Sequence, residues 1–175
     1  MRKLASKELG RLSPRQFREA EKIPVIIVLD NVRSLYNVGS VFRTADAFRV
    51  ESIYLCGITA TPPHREIHKT ALGAEETVNW KHFKETEEAV HELKSQGWKI
   101  IAVEQAEGSI PLDEFNPDKN AKLALVFGNE IGGVSETVMK TADACIEIPQ
   151  TGTKHSLNVA VSVGVVVWEI GKRYK

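Results

Sequence analysis

Residues 149–168 read PQTGTKHSLNVAVSVGVVVW, a polar loop that runs directly into the most apolar stretch of the chain. Valine favours strands, because its branched Cβ packs well on a pleated surface. The stretch is nevertheless long, and Leu157, Ala160, Val161, Gly164, Val165 and Trp168 recur on one stripe at helical spacing. Period and length outweigh propensity, so residues 156–172 are predicted to form a helix. The valines off that stripe, Val159, Val163, Val166 and Val167, leave the helix apolar nearly all round. Such a helix is buried on more than one side, against a sheet or against a second copy of the chain.

Outward from this stretch, strands and helices alternate. ACIEIP (144–149) is a strand, and Ser135 caps a short helix before it. KLALVFG (122–128), WKIIAVE (98–104), SIYLCG (52–57) and VIIVLD (25–30) are continuous apolar runs of strand length, the pattern of strands covered on both faces. TVNW (77–80) is a weaker strand. TEEAVHELKSQG (86–97) is an amphipathic helix ending at glycine, and residues 38–48 form another with Val41, Phe42, Ala45 and Phe48 on one face. Ser13-Pro14-Arg15-Gln16 is a capping box opening a short helix that runs to about Lys22 before Pro24. This order predicts an α/β domain with a mostly parallel sheet flanked by helices.

At 175 residues the chain is expected to be one domain over 1–175, with a short basic extension at 1–23. No apolar run reaches the roughly 20 residues of a membrane helix. The N-terminus also lacks an apolar signal core, so a cytoplasmic protein is expected. Cys56 and Cys145 form no CxxC pair and are read as inert core residues. Net charge is zero, but its distribution is uneven: residues 1–22 hold seven basic and three acidic side chains, residues 151–175 four and one, residues 84–120 four and nine. Basic ends around an acidic middle leave room for a positive face toward phosphates.

Ligands of open α/β sheets bind beyond the carboxyl ends of the strands, and three strand-end loops there carry polar chemistry. In DNVRSLYNVGSVFRTADAF, Asn37 is placed to cap the next helix, and Gly39 and Arg43 are four apart; an arginine near a helix N-terminus suits a phosphate. In GNEIGGVSE, Gly128, Gly132 and Gly133 surround Glu130 and permit close backbone approach. In IPQTGTKHSLN, Ser156 and Asn158 open the final helix, and a cap accounts for one of them. GTKHS is not a phosphate loop, because Thr153 separates Gly152 from Lys154 and the upstream glycine is Glu147. His64 and His68 are four apart without a third ligand nearby, so no metal is expected.

Taken together, the three loops resemble the SpoU class of RNA ribose 2′-O-methyltransferases, the TrmH-like family of the SPOUT superfamily. NVGSVFRTADAF matches its Asn-x-Gly-x-x-x-Arg pattern, LVFGNEIGGVS its Gly-x-Glu-x-x-Gly pattern, and IEIPQTGTKHSLNVAVSVGV its Ile-Pro…Gly…Ser-Leu-Asn-Val pattern; TALGAEE (70–76) also looks like a family segment. The resemblance implies a C-terminal trefoil knot, a homodimer, and S-adenosylmethionine held by Gly128, Asn129, Glu130, Ile148, Gln150, Gly152, Ser156, Leu157 and Asn158. It implies methyl transfer to a ribose of RNA, transfer RNA ahead of ribosomal RNA, by Arg43 with Asn37, Glu130, Ser156 and Asn158. An arginine that orients phosphate and hydroxyl is physically easier than one acting as a base, because guanidinium holds its proton. Gln150 stands where the family usually has methionine, which makes that wall of the pocket more polar.

Overall fold

In the computed structural model, which describes residues 1–174, seven strands form one sheet. They are β1 (Ile23–Asp30), β2 (Val50–Cys56), β3 (Trp80–Phe83), β4 (Lys99–Val103), β5 (Ile110–Pro111), β6 (Leu123–Phe127) and β7 (Ala144–Glu147). The spatial order is β3-β2-β1-β6-β4-β7-β5, and every strand pairing is parallel. The α/β class read from the continuous apolar runs is therefore correct. Central β1 and β6 pair with Ile27 opposite Leu125, and all five residues of β6 are buried.

Side chains alternate across the sheet and divide the core into two layers. Ile27, Leu29, Leu123 and Leu125 face α2 (Leu35–Ala47) and α6 (Val159–Gly171), and Phe17 of α1 (Pro14–Glu19) joins this layer. Ile26, Val28, Ala124 and Val126 face α4 (Thr86–Ser95) and α5 (Glu136–Thr141). The capping box forms as expected: Ser13 Oγ accepts from Gln16 N at 3.3 Å, and Gln16 Oε1 accepts from Ser13 N at 2.9 Å. That helix stops at Glu19, because Ala20 is already extended and the chain enters β1 at Ile23.

Three elements differ from expectation. The third strand lies at Trp80–Phe83, three residues beyond its predicted start, because Ala74–Glu76 forms a 3₁₀ turn and Thr77 hydrogen-bonds back to Ala74. Short α3 (Arg65–Ala71) and the two-residue β5 carried no periodic signal of their own. His64 is spent as the cap of α3, its Nδ1 accepting from Glu66 N, and His68 pairs with Glu75.

The final helix is present, but the opposite face packs on the sheet. Val159, Val163, Val166, Val167 and Ile170 are buried, whereas Val161 and Trp168 are each 51% exposed. A helix that is apolar all round has no direction of its own, and both sets of positions fit a 3.6-residue period. Valine costs a few tenths of a kcal/mol of helix propensity, and burying its side chain gains roughly 1.5 kcal/mol or more, so packing holds the helix. It begins at Val159 rather than 156, with Asn158 as its cap. No helix among the described residues is long and apolar enough to cross a membrane.

Cys56 is fully buried at the end of β2. Burial pushes its thiol up to about 12, and the negative charge of Asp30 adds to the effect. Iodoacetamide at pH 8.5 is therefore expected to leave Cys56 unmodified in the folded protein and to alkylate it in urea, as read by peptide mass spectrometry. Because the folded value is raised, the contribution of this thiol to stability is intact below the free-thiol pKa of about 8.5 and is lost as pH rises toward 12.

Candidate active site

A cleft of about 630 Å³ opens at the carboxyl ends of β4, β6 and β7. β2 and β3 lie on one side of β1, and the later strands lie on the other. The cleft thus stands beside the reversal of strand order, where open α/β sheets bind ligands. Its size is that of a small-molecule site.

One wall is the loop after β6. Asn129 and Gly133 pair through both backbone groups, at 3.2 and 3.1 Å, and Asn129 Oδ1 accepts from Ile131 N and Gly132 N at 3.0 and 2.8 Å. The loop is tied to β4 by Glu104, whose Oε2 accepts from Val134 N at 3.1 Å and Oε1 from Gln105 N at 2.9 Å. Gly133 has φ +67°, and a Cβ there would lie 2.1 Å from Glu104 Oε2. A Cβ on Gly128 would lie 1.8 Å from the carbonyl carbon of Gly133. Both positions require glycine for steric reasons.

The three loops meet through three side chains. Asn158 Oδ1 caps α6 by accepting from Ala160 N at 2.9 Å and from Val161 N at 3.4 Å. With its oxygen committed, Asn158 turns its amide nitrogen outward and donates to Asn37 Oδ1 at 3.1 Å. Asn37 then donates to Glu130 Oε1 at 3.0 Å. Each partner offers the group its neighbour lacks, so the chain fixes all three orientations. Asn37 was expected to cap α2. Ser34 does so instead, accepting from Asn37 N at 3.3 Å, and this releases the Asn37 side chain to bridge the loops.

Of the residues expected to hold a cofactor, Gly128, Asn129, Glu130, Ile148, Gln150, Ser156, Leu157 and Asn158 line the cleft, and Gly152 does not. Arg43 also stands outside its lining. It borders a separate depression with Ser40, Thr44, Phe48, Lys69 and Thr70. Glu104, Gln105 and Glu147 line the cleft without having been singled out in the sequence. Glu104 closes the apolar run 98–104, so the rule that ligands meet strand ends would have found it. The charged lining consists of Glu104, Glu130 and Glu147, with neither lysine nor arginine among the cleft residues. That field favours a cation.

Fold and site together define an α/β protein with a cation-favouring cleft at its topological switch point. Residues 24–168 match the SpoU rRNA Methylase family, and the chain belongs to that family. The chain is similar to the 23S rRNA (guanosine-2′-O-)-methyltransferase RlmB of Nitrosomonas europaea, 31% identical over 86% of this chain and 56% of that one. It is also similar in structure to the TrmH/SpoU tRNA modifying enzyme of A. aeolicus (TM-score 0.80, 27% identical, 91% of this chain and 81% of that one). A third relative is the AdoMet-bound rRNA methyltransferase of Sinorhizobium meliloti (TM-score 0.79, 29% identical, 94% of this chain and 61% of that one). The chain spans 56% of the RlmB relative and 64% of a tRNA/rRNA methyltransferase of Borreliella burgdorferi.

Proposed function

We propose that this chain binds S-adenosylmethionine in the cleft and transfers its methyl group to a ribose 2′-hydroxyl of RNA, transfer RNA ahead of ribosomal RNA. The observation that carries the reading is the Asn158–Asn37–Glu130 chain, which joins all three loops at the mouth of a cleft with only acidic charges. Family membership supports RNA methylation, and the relative named as a guanosine-2′-O-methyltransferase supports the ribose.

The residues fit the cofactor. The cleft has the volume of a small-molecule site, Gly128 and Gly133 bring backbone to its wall, and its carboxylates complement a positive ligand. When bound, S-adenosylmethionine would supply an electrophilic methyl group: the 2′-oxygen would take the methyl as sulfur kept the bonding electron pair, and the hydroxyl proton would pass to water. The chain supplies position and field. Asn158 and Ser156 place polar groups in the cleft lining, and Asn37, bonded to both Asn158 and Glu130 from beside the cleft, holds those two in one orientation. Fixed alignment accounts for much of the acceleration such a transfer needs. Arg43, which stands outside the cleft lining, is assigned a phosphate of the bound RNA rather than the reacting hydroxyl.

The reading includes a homodimer, in which the exposed stripe of Val161, Val165 and Trp168 on α6 meets a second copy. It includes a trefoil knot in the segment after β7, a single catalytic domain over 1–175 with a basic extension at 1–23, and a cytoplasmic site of action. The test is transfer from methyl-labelled S-adenosylmethionine to total cellular RNA from a strain lacking the gene, followed by nuclease digestion, with sedimentation of the same protein. Label on a ribose 2′-oxygen and a dimer are expected. Label on a base would sink the ribose assignment, and cofactor binding without any transfer would leave a binding protein.

A further inference from the structure

Outside the cleft, the most structured cationic feature is the depression of about 470 Å³ between α2 and α3. Its charged lining is Arg43 and Lys69, with Ser40, Thr44 and Thr70 beside them and no carboxylate in the lining. The two helices are held in close contact here. A Cβ on Gly39 would lie 2.1 Å from Thr70 Oγ1 and 2.3 Å from the Ile67 carbonyl oxygen, and Thr70 Oγ1 donates to the Tyr36 carbonyl at 3.0 Å. The spacing of the two helices that carry Arg43 and Lys69 is therefore set by backbone packing.

Tyr36, Ser40 and Arg43 stand at i, i+4 and i+7 on one face of α2. That run covers about 10 Å of axial rise, room for about two consecutive phosphates of an RNA strand. At its start Tyr36 is 49% exposed and adjoins Asn37 of the cleft network. Its ring is braced from α3 by Lys69, whose Nζ lies 6.0 Å from the ring centroid. Lys69 also pairs with Glu66 at 2.7 Å, an exposed pair that holds it near the ring at little cost to release. An exposed aromatic with Lys69 beside its ring and Arg43 about two turns further along α2 is the chemistry of a single-strand RNA track.

Resting on the methyltransferase reading, we infer that Tyr36 and Lys69 are RNA-binding residues: Tyr36 stacks a base flanking the methylated nucleotide, and Lys69, with Arg43, holds the phosphates that follow. The nucleotide therefore leaves the cleft along the groove between α2 and α3, and this side of the molecule sets the local sequence and structure it accepts.

The test is fluorescence anisotropy of the full chain with a labelled mixed-sequence 12-nucleotide RNA, across a salt series, with S-adenosylmethionine binding measured by calorimetry on each variant. For Lys69→Gln, affinity is expected to fall about fivefold and the slope of log K against log salt by about 0.7. Tyr36→Ala is expected to lose about tenfold with the slope unchanged, since stacking releases no counterions. Glu66→Gln removes the ion pair that holds Lys69, and is expected to bind more tightly. Lys140→Gln, on α5 across the sheet, serves as the control and should match the unmodified chain. Unchanged affinity and slope in both Lys69→Gln and Tyr36→Ala, with RNA binding and methyl transfer intact in the unmodified chain, would overturn this inference and leave the function standing. A change of oligomeric state in those variants in place of a change in RNA binding would assign the depression to a second copy and overturn it too. Failure of the unmodified chain to bind RNA while binding cofactor would overturn the RNA reading itself.

Discussion

Replacing Gly128 by alanine is expected to weaken S-adenosylmethionine binding about a hundredfold and to lower the thermal midpoint by about 6 °C. The new methyl would stand 1.8 Å from the Gly133 carbonyl carbon and 2.1 Å from Val134 N, both backbone atoms. Neither side of that contact can give easily. Gly128 continues from β6, whose residues are all buried. Across from it, the loop is held by the Asn129–Gly133 pair, by Glu104 on Val134 N and by Asp30 on Ser135 N at 2.8 Å. Overpacking a rigid site costs about 1–3 kcal/mol, and each kcal/mol moves the midpoint of a chain this size by about 2–4 °C. Binding should suffer more than stability, because the clash falls in the backbone that walls the cleft, and about 1 Å of lost alignment can cost a further hundredfold in transfer. Isothermal titration and scanning calorimetry read the two effects separately. Gly152→Ala is the control, since a Cβ there meets nothing within 4 Å. Cofactor affinity in Gly128→Ala equal to that of the unmodified chain would show that this loop does not form the binding wall.

Asp30→Ala is expected to destabilise the fold by about 3–5 kcal/mol. Asp30 is 1% exposed at the end of β1. Its Oδ1 accepts from Thr86 Oγ1 at 2.6 Å and from Asn31 Nδ2 at 2.9 Å, and its Oδ2 accepts from Ser135 N at 2.8 Å. One carboxylate thereby joins the first strand to the starts of α4 and α5. Removing it strands the Thr86 hydroxyl and the Ser135 amide in the interior, each at about 1–3 kcal/mol, and leaves a cavity besides. Asp30→Asn keeps the shape and part of the bonding, so about 1–2 kcal/mol is expected of it. Urea unfolding at constant m-value gives both numbers. A loss below 1 kcal/mol in Asp30→Ala would mean that the hub contributes little to stability.

Much of the molecule was legible in the chain. Strands covered on both faces must be continuous apolar runs, so VIIVLD and LALVF announced the centre of the sheet. The Ser13–Gln16 box is a local reciprocal bond and formed as written. The glycines around Glu130 were visible as a place of close backbone approach, and Gly128 and Gly133 are used in that way.

What the sequence by itself determined is therefore what depends on near neighbours: the class of fold, most elements, and the three loops that carry polar groups at strand ends. Only the tertiary structure decided which face of α6 turns inward, because an all-apolar helix offers no direction until the sheet supplies one. It alone decided that Asn37 bridges rather than caps, since its partners Glu130 and Asn158 lie 93 and 121 residues away. The same holds for Glu104, recruited to the cleft wall by a loop 30 residues later, and for Arg43, set apart from the cleft beside Lys69. Hydrogen bonds between residues far apart in sequence leave no periodic trace in it, and the packing of helices on the sheet is what brings their ends together.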